Sequence, residues 1–150
     1  MKKITTILLT IVCVLSMVFS VSCSNTFDGK YTLVINIGEE NTEYAIDTEA
    51  MGVDTLADAL EYLRDNYDVT YEYVDSIYGI NITKLGDIEP QGYTQWVKIY
   101  TSVESDRDVS EYSDSMEYRG VTLYTSGYGV SSMTLVEGCV VYFTLGDTNA

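Results

Sequence analysis

The side chains able to do chemistry in this chain are carboxylates and phenols: 23 Asp and Glu and 14 Tyr, with no His. Carboxylates can act as general acids and bases, as glycosidase pairs, or as hard ligands for Ca²⁺. Their densest group is Asp106-Arg107-Asp108, flanked by Glu104 and Glu111. The stretch lacks the Gly and bidentate Glu of a calcium loop, so a solvated acidic loop is expected and no metal site. Nothing marks any two acids as a catalytic pair. Without an imidazole, no Ser-His-Asp or Cys-His arrangement and no His-ligated metal or haem can be assembled from this chain. The expectation is a protein that is not an enzyme and carries no cofactor. A formal charge of −15 repels phosphate backbones, so nucleic acid is not an expected partner.

The remaining reactive group is a thiol. Lys2 and Lys3 precede an uncharged run from Ile4 to Phe19, then Ser20-Val21-Ser22-Cys23, which is the layout of a secretory signal. Cys23 directly after a small residue resembles the lipobox of bacterial lipoproteins, where the cysteine is acylated and becomes the new N-terminus; Ser20 stands where that pattern usually has Leu. Ser20-Val21-Ser22 also fits a small-x-small site for ordinary signal peptidase, and the run is long enough to stay as an uncleaved anchor. The lipoprotein reading gives a signal peptide over 1–22, a lipidated tether over 23–30 and a domain over 31–146, anchored to the outer face of the cell membrane. The mature chain of 128 residues loses two lysines and no acid, which takes its formal charge to −17. It can bury about two-thirds of its unfolded surface, enough for a core without staples. Cys139 then stands alone, expected as a buried, inert thiol sharing a strand face with Val141, Phe143 and Leu145.

These groups need positioning elements. Alternation predicts strands at Tyr31 to Ile37 and around Glu43 to Asp47, joined by the turn-like Gly38-Glu39-Glu40-Asn41. Asp54 can cap a helix from Thr55 to about Asn66, whose Leu56, Ala59, Leu60, Leu63 and Tyr67 share one face. The period then returns to two, with strands from Val69 to Tyr73, Ile80 to Leu85, Gln95 to Ser102, Val121 to Tyr124 and Cys139 to Leu145. Gly86-Asp87 and Pro90-Gln91-Gly92 break the run, and Val103 to Glu117 reads as a polar, acidic connection. This is an α+β pattern: a β-grasp-like mixed sheet with one helix packed across it.

The order of several segments resembles a family. Asp54-Thr55-Leu56-Ala57-Asp58-Ala59-Leu60 opens the helix; Tyr78-Gly79-Ile80-Asn81-Ile82 leads to Gly86-Asp87-Ile88; Gln95-Trp96-Val97-Lys98-Ile99-Tyr100 follows; and Gly129-Val130 to Val136-Glu137-Gly138 precedes the closing strand. Together, over roughly Tyr31 to Leu145, they are similar to the transcobalamin-like C-terminal domain of bacterial lipoproteins and surface proteins. Two positions depart: Thr101-Ser102 replaces a usual Asn-Gly turn, and Gly138-Cys139 replaces Gly-Asp.

The resemblance implies a binding role. In animal cobalamin carriers the domain closes over a corrinoid with a helical partner domain, for which this chain has no room. A corrinoid here would have no histidine for its cobalt and would rest on apolar and backbone contacts, or on a wall from another protein. Trp96, Tyr100, Tyr93 and Tyr128 are the side chains placed at such a surface, because large amphipathic rings give contact area at little entropic cost. Alternatively, Trp96 and Tyr100 simply cover the sheet. Two functions follow: a lipid-anchored module capturing a small molecule, corrinoid-like, for a membrane transporter; or a surface module docking a glycan or another protein through a tyrosine-rich face. They differ in that the first needs a pocket near Trp96.

Overall fold

The structure is a computed structural model that describes residues 31–37 and 40–148. The signal peptide, Cys23 and the tether fall outside the described residues. Among those residues eight strands, two α-helices and one 3-10 turn follow one another: β1 (Tyr31–Ile37), β2 (Glu40–Ile46), α1 (Thr48–Met51), α2 (Leu56–Tyr67), β3 (Tyr71–Ser76), β4 (Gly79–Leu85), β5 (Gln95–Thr101), the 3-10 turn (Glu104–Asp106), β6 (Ser115–Tyr118), β7 (Val121–Thr125) and β8 (Val140–Asp147). The α+β class expected from the sequence is present, as a mixed sheet with few helices. No described helix is long and apolar enough to cross a membrane.

Six strands form one sheet in the order β2-β1-β8-β5-β7-β6, and β3 and β4 form a separate two-stranded ribbon. The C-terminal strand β8 is central, parallel to β1 and antiparallel to β5. Its first four residues are all buried, as a strand covered on both faces must be. Beyond them Leu145 emerges into solvent, so the face expected to be continuously buried from Cys139 ends at Phe143.

Helix α2 begins one residue later than its expected cap. The Thr55 hydroxyl accepts from Asp58 N–H, and the Asp58 carboxylate accepts from Thr55 N–H at 2.9 Å, a reciprocal box that Asp54 cannot form. The Thr55 hydroxyl, which also donates to the Asp58 carboxylate at 2.8 Å, and then the Thr55 N–H hold the Asp58 carboxyl below its ordinary pKa. Leu56, Ala59, Leu60 and Leu63 are buried against Leu33, Ile35, Val141 and Phe143 of the sheet and Ile82 and Leu85 of β4. Tyr67, expected on that face, instead turns its ring outward, edge-on to Tyr44 at 5.6 Å.

The opposite face of the sheet folds on itself. Tyr118 of β6 and Glu43 of β2 lie at the two ends of the strand order, yet the Tyr118 hydroxyl donates to the Glu43 carboxylate. Arg119 pairs with the same carboxylate at 2.9 Å, and the Tyr118 ring packs on Tyr142 at 5.2 Å. The sheet is therefore curled around a second cluster of Val34, Tyr100, Leu123, Val140 and Tyr142. Both α1 and β6 are additions to the expected elements; β6 begins inside the stretch read as an acidic connection and ends one residue beyond it.

That connection is also less solvated than expected. Asp106 is 3% exposed and its carboxylate accepts from the Thr134 backbone N–H and from the Thr134 hydroxyl, which ties residues 104–106 to the loop before β8. Cys139 is buried, and burial pushes its thiol up, as expected of an inert core sulfur.

Candidate functional site

A groove of 520 Å³ runs between the ribbon and the main sheet, within the range of small-molecule pockets (about 300–1,000 Å³). Residues 81–83 of β4 form one wall, residues 95–97 and Ile99 of β5 the other, and Pro90 and Gly92 close one end. Ile82 and Val97 are also buried members of the main core, so the groove has an apolar floor anchored to the helix layer. Asn81 and Thr83 stand at its rim, exposed. Gln95 is committed: its carbonyl oxygen accepts from Gln91 N–H at 2.8 Å and its amide donates to Asp147 at 3.0 Å.

Local sequence explains the opening. The β3–β4 pairing slips between Glu72 and Tyr73, so that Glu72 pairs with Lys84 and Tyr73 with Ile82, leaving Thr83 as an extra residue. At the far end the loop 126–131 bridges the two strands. Gly129 lies against the β4 backbone, where a Cβ would sit 2.4 Å from the Ile80 oxygen; only glycine fits this approach. Ser131 accepts from Ile80 N–H at 2.9 Å, and Ser126 N–H donates to the Ile99 oxygen at 2.8 Å.

Of the four aromatic residues predicted from sequence, Trp96 alone lines the groove. It is 41% exposed, and its ring covers Gly146 of β8 so closely that any Cβ there would lie 2.5 Å from the indole. Tyr100 shares its strand face but is 8% exposed, inside the second cluster, so it is not at an open surface. Its hydroxyl donates to Asp114 at 3.2 Å, and Lys98, 5.0 Å from the ring centroid, pairs with the same carboxylate at 2.8 Å. Burial raises the Tyr100 pKa against the opposing pull of Lys98. Tyr93 projects from the loop between β4 and β5, 107% exposed. Tyr128 stands beside the tip of the ribbon, where Gly129 N–H donates to the Tyr78 oxygen. The structure does not bring the four together.

Sequence reasoning missed Asn81, Ile82, Thr83 and the Pro90–Gly92 end. Pro90-Gln91-Gly92 was legible as a break, but that it faces a β4 edge depends on the two sheets being separate.

Fold and groove together define a small α+β domain with a ligand-sized cleft between two sheets. No family model matches the chain, and no curated protein matches it. Among solved structures it is similar to the crystal structure of a "putative metal binding protein" from Ruminococcus gnavus ATCC 29149, with a TM-score of 0.51 and 16% identity, over 80% of this chain and 98% of that one. At that identity the likeness is one of fold. Among the described residues of this chain, no group of three or more Cys, Asp or Glu side chains is arranged to hold a metal ion.

Proposed function

We propose that this chain is a non-catalytic binding module, of the transcobalamin-like, β-grasp-like kind, held at the outer face of the cell membrane through acylated Cys23, and that it takes a small ligand in the groove between β4 and β5 for delivery to a membrane transporter. The observation that carries this reading is the groove itself: an apolar floor of Ile82 and Val97, a half-open Trp96 at its rim, and the exposed Asn81 and Thr83 side chains above it. The neighbour described as a binding protein agrees with a binding role in general. A corrinoid is the ligand that the family resemblance implies. With no histidine in the chain its cobalt would be unligated by protein, and the macrocycle would present its amide fringe to the groove with its bulk outside.

Trp96 is the chain's one tryptophan, so its fluorescence reports on the groove alone. The purified chain in mild detergent is titrated with cobalamin, with correction for absorption by the corrinoid. A saturable change that disappears when Thr83→Phe fills the groove is the expected result. Unchanged fluorescence up to high micromolar cobalamin moves the reading to a docking surface for a glycan or a surface protein. One observation favours that second reading: Tyr73, Val74, Ile77 and Tyr78 of the ribbon, with Tyr128 beside its tip, are all exposed, Ile77 at 91%.

A further inference from the structure

The groove's lining has a feature that side chains do not explain. A strand face presents alternate residues, yet here residues 81–83 and 95–97 each line it consecutively, so the walls are strand edges, with main-chain groups facing inward. Hydrogen bonds fix which residues point there. On β5, the Ile99 oxygen accepts from Ser126, away from β8, while Thr94 and Ser102 bond toward β8 with Thr148 and Val140. Alternation then turns Gln95 and Val97 outward with Ile99. On β4, Ile80 turns both its N–H and its C=O away from β3, to Ser131 and Val130, which places Ile82 outward as well. Past the bulge, Leu85 exchanges both bonds with Ile88. Between these closed ends, Gln95 and Val97 on β5 and Ile82 on β4 turn N–H and C=O groups outward to no described main-chain partner, and Val97 and Ile82 face each other from the middle of the two walls.

From this, and resting on the binding role proposed above, we infer that the groove recognises a polypeptide main chain: a short, extended, positively charged peptide that pairs with Val97 along the β5 edge and with Ile82 across from it, its apolar side chains on the Ile82 and Val97 floor. An open edge is a template for such pairing. The outer edge of β3 is open too, but nearly all its side chains stand in solvent and no strand among the described residues pairs with it. Charge selects the sign. Lys84, the cation on β4, pairs with Glu89 at 2.9 Å and lies in the field of Glu72 and Asp87 as well, while Asp147 holds Gln95 at the other wall. The lining itself is uncharged, so the sign is set by these flanking carboxylates and by the chain's net charge of −15, which favour lysine or arginine on the ligand and disfavour an acidic one.

The probe is acetyl-Lys-Val-Lys-Val-amide, titrated into the full chain in mild detergent at low salt with Trp96 fluorescence as readout. Two ligand-side variants leave the protein untouched: the same peptide with alternate N-methyl amides, and acetyl-Glu-Val-Glu-Val-amide. Each is expected to bind at least about tenfold more weakly, the first through lost main-chain bonds and the second through repulsion. Thr83→Phe is expected to abolish the response. Equal binding of the N-methylated peptide, or binding that survives Thr83→Phe, overturns the inference. If the peptide fails while cobalamin still changes Trp96 fluorescence, the peptide inference falls and the small-ligand role stands. If neither ligand has an effect, both fall.

Discussion

The two faces of the six-stranded sheet solve the same problem with different chemistry. One is closed by α2 and the ribbon and is mainly aliphatic: Leu33, Ile35 and Val141, with the Phe143 ring among them, meet Leu56, Leu60 and Leu63. The other is closed by the sheet's own curl and is built around tyrosines, Tyr100, Tyr142 and Tyr118, whose hydroxyls end on Asp114, Asn41 and Glu43. Rings that carry a polar end can fill a thin layer near water without leaving the hydroxyl unpaired. The tyrosine wealth of this chain is thus partly structural. Trp96 stands where this second layer runs out, which leaves its ring half open.

The comparison breaks first at its aliphatic side. Phe143 is fully buried, at the register position shared by Ile35 and Ile99. Phe143→Ala removes a ring from a layer that cannot collapse around the gap, and is expected to cost about 3–5 kcal/mol. Urea denaturation checks this; a loss below about 1 kcal/mol would mean that the helix layer is not the dominant core.

The tyrosine side gives a smaller effect with a pH signature. Tyr118→Phe keeps the ring on Tyr142 and the Arg119–Glu43 pair and removes the phenol's bond between the two ends of the sheet, a loss of about 1 kcal/mol at neutral pH. Burial first, and then the bond to Glu43, push the Tyr118 phenol up to about 12. Its unfolded value is about 10, so its contribution is fully present below pH ~10 and fades as pH rises through about 12. The urea midpoint of the native chain should fall over that interval, and that of Tyr118→Phe should fall less steeply. Parallel curves would show that the Tyr118–Glu43 bond does not help hold the sheet closed.

Much of the fold was legible because its signals are local. The alternation in β1, β5 and β8 and the 3.6 period of α2 are imposed by which face is buried, and the buried residues carry it. The curl was not legible: a Trp96-Lys98-Tyr100 face reads the same whether it faces water or a folded-over β6. Tyr100 was therefore placed beside Trp96 at an open surface, although β6 and β7 cover one end of that face and not the other. Strand β6 was hidden because Met116 and Tyr118 supply two apolar positions within an acidic stretch. The groove depended on a relation between segments, since its walls belong to different sheets and its width to a bulge at Thr83. Asp106 illustrates the same limit: sequence gives its charge, but its partner Thr134 is 28 residues away.

The smallest expected effect belongs to a residue outside both faces. Tyr93 is expected beside Trp96 as a large amphipathic ring suited to a ligand surface, but its ring is in solvent and does not line the groove. Tyr93→Ala should change stability by less than about 0.5 kcal/mol, as for exposed positions generally. It should also leave the Trp96 fluorescence response to cobalamin or to the cationic peptide unchanged. The two readouts separate two questions. A stability loss would mean that the loop carrying Tyr93 packs more tightly than its exposure indicates. A ligand response lost at unchanged stability would mean that this loop, which already supplies Pro90 and Gly92 to the groove, closes over a bound ligand and brings the Tyr93 ring with it. That outcome would restore Tyr93 to the site by movement, and the groove would then be a cleft with a lid.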